Sequence, residues 1–117
     1  FDFRKLWRSF GYALNGILTA TEQQNYRIHL IAIVVVSLAG FYVGLKAWEW
    51  VTILLCFGLV LAAELMNTAL EHLADVAHPN KHPIIAKAKD AAAGAVLVCA
   101  IASVGIAIII FSPYFNT

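Results

Sequence analysis

The sequence predicts an all-α membrane protein in which an amino-terminal amphipathic surface helix precedes three transmembrane helices. Of its 117 residues, 62% are apolar and only 13% are charged. In an ordinary soluble domain about a quarter of the residues are charged. The apolar residues are gathered into long runs, each of a length that can cross a bilayer. Because the chain is short, we treat residues 1–117 as a single membrane-embedded domain.

The surface helix is predicted over about residues 3–22. Apolar side chains recur there at spacings of three and four, with basic residues between them. An apolar face flanked by basic side chains is typical of a helix that lies in the membrane interface. A helix packed in a soluble core is the less favoured alternative, because the downstream sequence is membranous. The apolar face comprises Phe3, Leu6, Trp7, Phe10, Leu14, Ile17 and Leu18.

Three further segments are predicted as transmembrane helices, over about residues 28–45, 50–77 and 84–113. The first contains no Asp, Glu, Lys or Arg and a single histidine, His29. The second is uncharged until Ala63 and continues as a helix through a polar stretch. Two prolines, Pro79 and Pro83, then mark a turn. The third begins with a short basic stretch and is uncharged from Ala91 to Phe115.

The basic residues predict how the chain is oriented in the membrane. Four of them precede the first span, three lie between the second and third spans, and only Lys46 lies on the other side. Basic residues concentrate in cytoplasmic loops. The amino terminus and the 78–90 loop are therefore expected in the cytoplasm. The seven residues on that side are Arg4, Lys5, Arg8, Arg27, Lys81, Lys87 and Lys89.

Four polar residues at the end of the second span form what we call the polar stripe: Glu64, Asn67, Glu71 and Asp75. Their offsets place them within about 80° of arc on one helix face. A buried carboxylate is costly unless cations, hydrogen-bond donors or water face it. Glu64 is expected inside the bilayer edge, whereas Asp75 is expected near the headgroups. The stripe is thus a place where a water-soluble reagent could meet a lipid.

The residue types in and near the stripe favour phosphoryl transfer to a hydroxyl at the membrane surface. Carboxylates can hold Mg²⁺ that also binds substrate phosphates, and Lys89, beside Asp90, can offset phosphate charge. Glu64, the deepest carboxylate, suits a general base for an alcohol. The alternative is a non-enzymatic oligomer, either an ion or proton conductor or a structural subunit. A conductor would carry polar residues along the full span, whereas the first and third spans are almost bare.

The motif as a whole resembles the prokaryotic diacylglycerol kinase family, which includes the undecaprenol kinases. The resemblance covers essentially the whole chain. It implies a homotrimer in the bacterial inner membrane that transfers the ATP γ-phosphate to a lipid alcohol with Mg²⁺, and no nucleic-acid partner. The residues that carry it are Glu64-x-x-Asn67-x-x-x-Glu71-x-x-x-Asp75, the run Ala86-Lys87-Ala88-Lys89-Asp90-Ala91-Ala92-Ala93-Gly94-Ala95-Val96, Asn25-Tyr26-Arg27-Ile28-His29, Gly11-Tyr12 and Gly16.

The resemblance also implies roles for individual residues. Glu64 matches the catalytic base and Glu71 a metal-binding glutamate. A second glutamate of the family falls at Gln23 or Gln24, depending on the counting, so Glu22 is taken as its replacement at the metal. The nucleotide site comprises Asn67, Glu71, Asp75, Lys89 and Asp90, to which we add Arg8 of the surface helix. Asn15 and His29 are candidate lipid contacts. The lipid is undecaprenol or diacylglycerol, with a slight preference for undecaprenol.

Overall fold

A computed structural model describes residues 1–116 of the chain, and four helices account for most of them. They are α1 (Phe3–Ala20), α2 (Gln24–Val43), α3 (Ala47–Ala77) and α4 (Pro83–Phe115). The described part contains no β-strand. Helices α2, α3 and α4 are each long and apolar enough to cross a membrane. The predicted all-α class, with one amphipathic helix before three apolar ones, is confirmed.

Helix α1 lies largely outside the bundle formed by the other three helices. Asp2 caps its first turn by accepting a hydrogen bond from the Arg4 amide at 2.9 Å. The helix ends at Ala20, its only buried residue, and the turn 21–23 leads into α2. One apolar face without a protein partner is what a helix lying in a membrane interface requires.

The pairing of α3 with α4 is the most extensive in the protein. These helices have 31 and 33 residues, so at about 1.5 Å per residue each is longer than the hydrocarbon core of roughly 30 Å. The basic stretch with which the predicted third span begins forms the first part of α4. An ion pair joins the adjacent ends of the two helices, with Asp75 Oδ1 2.6 Å from Lys89 Nζ.

The opposite ends of α3 and α4 are joined by Glu49, which lies one residue before the predicted second span. Glu49 is buried, with 5% of its surface exposed. One of its carboxylate oxygens accepts hydrogen bonds from the Lys46 amide at 2.9 Å and from the Tyr114 hydroxyl. A buried carboxylate is stable only with such donors. Glu49 therefore both caps α3 and holds the last turn of α4.

Two glycines shape the connection between α2 and α3. Gly44 ends α2 with φ of 76°, in the left-handed region that glycine adopts without strain, and its amide donates to the Gly40 carbonyl. A Cβ at Gly40 would lie 2.8 Å from the Trp50 ring. The absence of a side chain at Gly40 therefore lets the Trp50 indole pack directly on the α2 backbone.

We predict that Gly40→Ala lowers the thermal stability of the detergent-solubilised protein. The added methyl must displace the Trp50 ring or Leu45, and overpacking of this kind costs about 1–3 kcal/mol. Gly105→Ala in α4 is the matched control, because nothing lies within 4 Å of a Cβ there. The control should be neutral or slightly stabilising, since alanine is the better helix former. Equal melting temperatures for both variants would contradict the close packing at Gly40.

We also predict that Tyr114→Phe destabilises the protein. The substitution keeps the ring and removes one donor from a buried carboxylate, a loss that costs about 1.5–3 kcal/mol. Tyr42→Phe is the matched control, because the Tyr42 side chain is 86% exposed. Thermal unfolding in detergent should separate the two variants. If both unfold like the wild type, the Glu49–Tyr114 contact does not hold α4 against α3.

Candidate functional site

The polar stripe runs along α3 from the interior of the bundle to solvent. Glu64 is 3% exposed and Asn67 is 7% exposed, Glu71 is half-buried, and Asp75 is exposed. At about 1.5 Å per residue the stripe is some 16 Å long. Successive positions on one helix face therefore pass from an apolar environment to an aqueous one.

Glu64, at the buried end of the stripe, faces His29 of α2. His29 Nε2 lies 3.5 Å from Glu64 Oε2. Within residues 1–116 His29 is the one basic side chain that lies within 4 Å of this carboxylate. The histidine keeps about a fifth of its side chain exposed, whereas the glutamate side chain is almost fully covered. An imidazole N–H can orient a buried carboxylate and offset its charge.

Asn67 and Glu71 interact with each other one turn apart. The Asn67 amide nitrogen donates to Glu71 Oε1 at 3.4 Å. The other amide atom, Asn67 Oδ1, is buried and has no hydrogen-bond partner among the described residues. Buried acceptors are normally satisfied, so an orphaned oxygen here suggests a site for a cation or a donor from elsewhere.

Asp75 and Lys89 border an open pocket at the solvent-exposed end of the stripe. This pocket has a volume of about 620 Å³ and is formed mainly by the loop between α3 and α4. In the loop, His78 Nδ1 lies 2.7 Å from the Asn80 carbonyl oxygen, and His82 Nδ1 accepts from the Ile84 amide at 3.1 Å. Both histidines therefore support the loop backbone. Lys89 is the lysine that the ion pair fixes toward the stripe.

Four of the predicted site residues are not joined to the stripe within this chain. Among the described residues, no ion pair or side-chain hydrogen bond links the stripe to α1 or to the 21–23 turn. The four residues are exposed. They are Arg8 and Asn15 on α1, Glu22 in the turn, and Asp90 on α4.

The residues at the stripe fit a magnesium ion that is held mainly by substrate phosphates. In the part of the chain that the structure describes, no group of three or more His, Cys, Asp or Glu side chains is arranged to hold a metal. Mg²⁺, however, typically takes one or two carboxylates, with phosphates and waters completing its coordination. Glu71 offers a half-buried carboxylate, and the unpaired Asn67 Oδ1 is a further oxygen ligand close by.

Sequence reasoning missed the proximity of His29 to Glu64. It placed His29 near the lipid headgroups, and nothing in the local pattern indicated which helix face would meet α3. Only the crossing of α2 over α3 brings the two side chains together. A signal was nevertheless present: His29 is the only histidine in an otherwise apolar helix, and such residues at membrane depth commonly have a polar partner.

Comparisons with known proteins identify the family of this chain. The family model for prokaryotic diacylglycerol kinase matches residues 11–111. The chain is 41% identical over 113 residues to an undecaprenol kinase of Bacillus subtilis, in an alignment that covers 96% of this chain and 92% of that protein. It is 43% identical over 98 residues to a diacylglycerol kinase of Synechocystis sp., covering 82% and 56% of the two chains, and 33% identical over 99 residues to one of Helicobacter pylori, covering 82% and 76%.

A family match over most of the chain, together with these identities, decides between the classes that the sequence left open. A kinase explains the carboxylates at one end of the bundle, whereas the non-enzymatic alternatives have no comparable support. The chain belongs to the prokaryotic diacylglycerol kinase family, a family of membrane lipid kinases.

Proposed function

We propose that the protein transfers the γ-phosphate of ATP to the hydroxyl of a membrane lipid alcohol, undecaprenol or diacylglycerol. The names of the similar proteins, undecaprenol kinase and diacylglycerol kinase, support these two substrates. The observation that carries the proposal is the burial gradient of the polar stripe, from Glu64 to Asp75. A lipid hydroxyl and a water-soluble nucleotide must meet, and the stripe offers polar groups at every depth between them.

Glu64 is proposed as the general base. The lipid hydroxyl would lie against its carboxylate, which accepts the hydroxyl proton while the lipid oxygen forms a bond to the γ-phosphorus and ADP leaves. The buried position excludes water, which would otherwise compete as the phosphate acceptor. His29 holds the carboxylate from the α2 side, and Asn15 is a second candidate contact for the lipid headgroup.

The nucleotide is proposed to lie between the stripe and the first turns of α4. The proposed nucleotide contacts are Asn67, Glu71, Asp75, Lys89 and Asp90. Lys89 would offset phosphate charge from a position set by Asp75. When bound, Mg²⁺ would neutralise charge on the transferring phosphate. Glu71, with Asn67 beside it and with Glu22 as a second carboxylate, is proposed to hold it.

Among the described residues, no side-chain hydrogen bond or ion pair joins the stripe to Arg8, Asn15 or Glu22 of the same chain, so these three residues need another route to the site. We propose a homotrimer, as in the family resemblance, in which a neighbouring subunit provides such a route. Large apolar side chains are exposed along all three spanning helices, among them Phe41, Leu59 and Ile108. This surface suits contact with lipid tails and with other subunits.

The proposed location is the bacterial inner membrane, with the amino terminus and the α3–α4 loop in the cytoplasm. The excess of basic residues on that side supports this orientation, because positively charged loops stay in the cytoplasm. Cytoplasmic ATP then reaches the exposed end of the stripe without crossing the membrane.

We predict that Glu64→Gln abolishes nearly all phosphate transfer while the protein still folds. The amide keeps the shape of the side chain and cannot accept the proton, and loss of a general base typically costs about 10²–10⁴-fold in rate. The measurement is transfer from labelled ATP to diacylglycerol and to undecaprenol, supplied separately in mixed micelles. The thermal shift caused by Mg²⁺-ATP should persist in the variant and serves as its folding control. Unchanged turnover would remove Glu64 from the reaction.

We predict that Glu71→Gln raises the Mg²⁺ concentration needed for half-maximal stabilisation by ATP. Removing one charged oxygen ligand weakens the binding of Mg²⁺, and we expect the half-maximal Mg²⁺ concentration to rise roughly tenfold or more. The measurement is the melting temperature at fixed ATP over a series of Mg²⁺ concentrations. Glu64→Gln serves as the matched control, because it removes a carboxylate of the same stripe that is not assigned to the metal. If Glu71→Gln and wild type show the same Mg²⁺ dependence, Glu71 is not a metal ligand.

A further inference from the structure

An apolar cavity lies between α2, α3 and α4, next to the buried end of the polar stripe. Its volume is about 150 Å³. Its wall is almost entirely hydrocarbon, with contributions from Ile33, Val36, Ile53, Val60, Val104 and Ala107. His29 is also part of the wall, and the same side chain contacts Glu64. His29 therefore lies between the cavity and the carboxylate that we propose as the base.

The cavity extends from the level of Glu64 toward the middle of the membrane. On α2 its lining runs from His29 to Val36, about 10 Å of helix at 1.5 Å per residue. On α3 it runs from Val60, one turn before Glu64, back to Ile53. A lipid alcohol with its hydroxyl at Glu64 runs in the same direction as the cavity, because its hydrocarbon chain must continue from the hydroxyl toward the membrane interior.

The size of the cavity suits one short branched segment of such a chain. Cavities of about 150 Å³ lined by aliphatic side chains are known to hold a benzene-sized guest. A five-carbon isoprene unit is of similar size. The whole of a long lipid does not fit, so the cavity can only bind the part of the chain that is nearest the hydroxyl.

The chemistry of the wall distinguishes between the two candidate lipids. In diacylglycerol the carbons next to the hydroxyl carry two ester groups, whereas in an isoprenoid alcohol they are pure hydrocarbon. Burying a carbonyl-type group without a hydrogen-bond donor is unfavourable. His29 already faces Glu64, and the other polar side chains of the wall are Ser103 and Cys56. The wall therefore offers few hydrogen-bond donors for two ester groups.

We propose that this cavity binds the isoprene unit next to the hydroxyl of an isoprenoid alcohol and thereby makes that alcohol the preferred acceptor over diacylglycerol. The proposal rests on the proposed function, because it places the reacting hydroxyl at Glu64. It assigns substrate choice to the half-open cavity between α2, α3 and α4.

The test fills the cavity without touching the polar stripe. Ala107→Leu adds three carbons at the end of the cavity away from Glu64, and Ala102→Leu makes the same change at an exposed position of α4. For Ala107→Leu we expect the KM for an isoprenoid alcohol to rise at least tenfold, with the KM for ATP unchanged. The KM for diacylglycerol should change less than threefold, and Ala102→Leu should behave like the wild type with both lipids.

A second measurement needs no turnover. A ten-carbon isoprenoid alcohol without ATP should raise the melting temperature of the wild type and of Ala102→Leu, but not of Ala107→Leu. Ala107→Val, which adds two carbons, replaces the leucine variant if that variant does not fold. An unchanged KM for the isoprenoid alcohol in Ala107→Leu overturns the proposal. A changed oligomeric state with an unchanged KM for the lipid also overturns it, because the cavity would then be a contact between subunits.

The outcomes also separate this proposal from the proposed function. If the wild type phosphorylates diacylglycerol and isoprenoid alcohol equally well, and filling the cavity affects both alike, the kinase stands and the substrate assignment falls. If the wild type transfers phosphate to neither lipid but isoprenoid alcohol still stabilises it through the cavity, the binding site stands and the kinase function falls.

Discussion

The antiparallel pairing of α3 with α4 is the constraint on which the rest of this structure depends. A carboxylate joins the two helices at each end: Glu49 accepts a hydrogen bond from Tyr114 at one end, and Asp75 forms an ion pair with Lys89 at the other. Two contacts so far apart fix the register of helices that are otherwise covered by interchangeable apolar side chains. Because the register is fixed, the polar stripe, the basic start of α4 and the apolar cavity hold constant positions relative to one another.

Helix α2 completes the site in a different way. It packs closely on α3 where Gly40 admits the Trp50 ring, and farther along it brings His29 to Glu64. Between these two contacts the helices line the half-open apolar cavity. A polar contact at the membrane edge and an unfilled volume just below it together form a surface that matches a lipid alcohol, polar at one end and apolar beyond.

The burial gradient along α3 gives a physical account of how a kinase can act at a membrane. Coulomb interactions strengthen as water is excluded, so a carboxylate at Glu64 acts in a different medium from one at Asp75. The buried end suits proton transfer from a lipid hydroxyl, and the exposed end suits a hydrated, charged nucleotide. One helix face thus spans both environments.

The sequence by itself determined the helices and the stripe, because both follow from local periodicity: apolar runs of spanning length, and carboxylates spaced to share one face of α3. Only the tertiary structure decided three features: the contact of His29 with Glu64, the hydrogen bond from Tyr114 to Glu49, and the apolar cavity. Each joins residues far apart in the chain, and apolar helices carry no local signal of which face meets which neighbour.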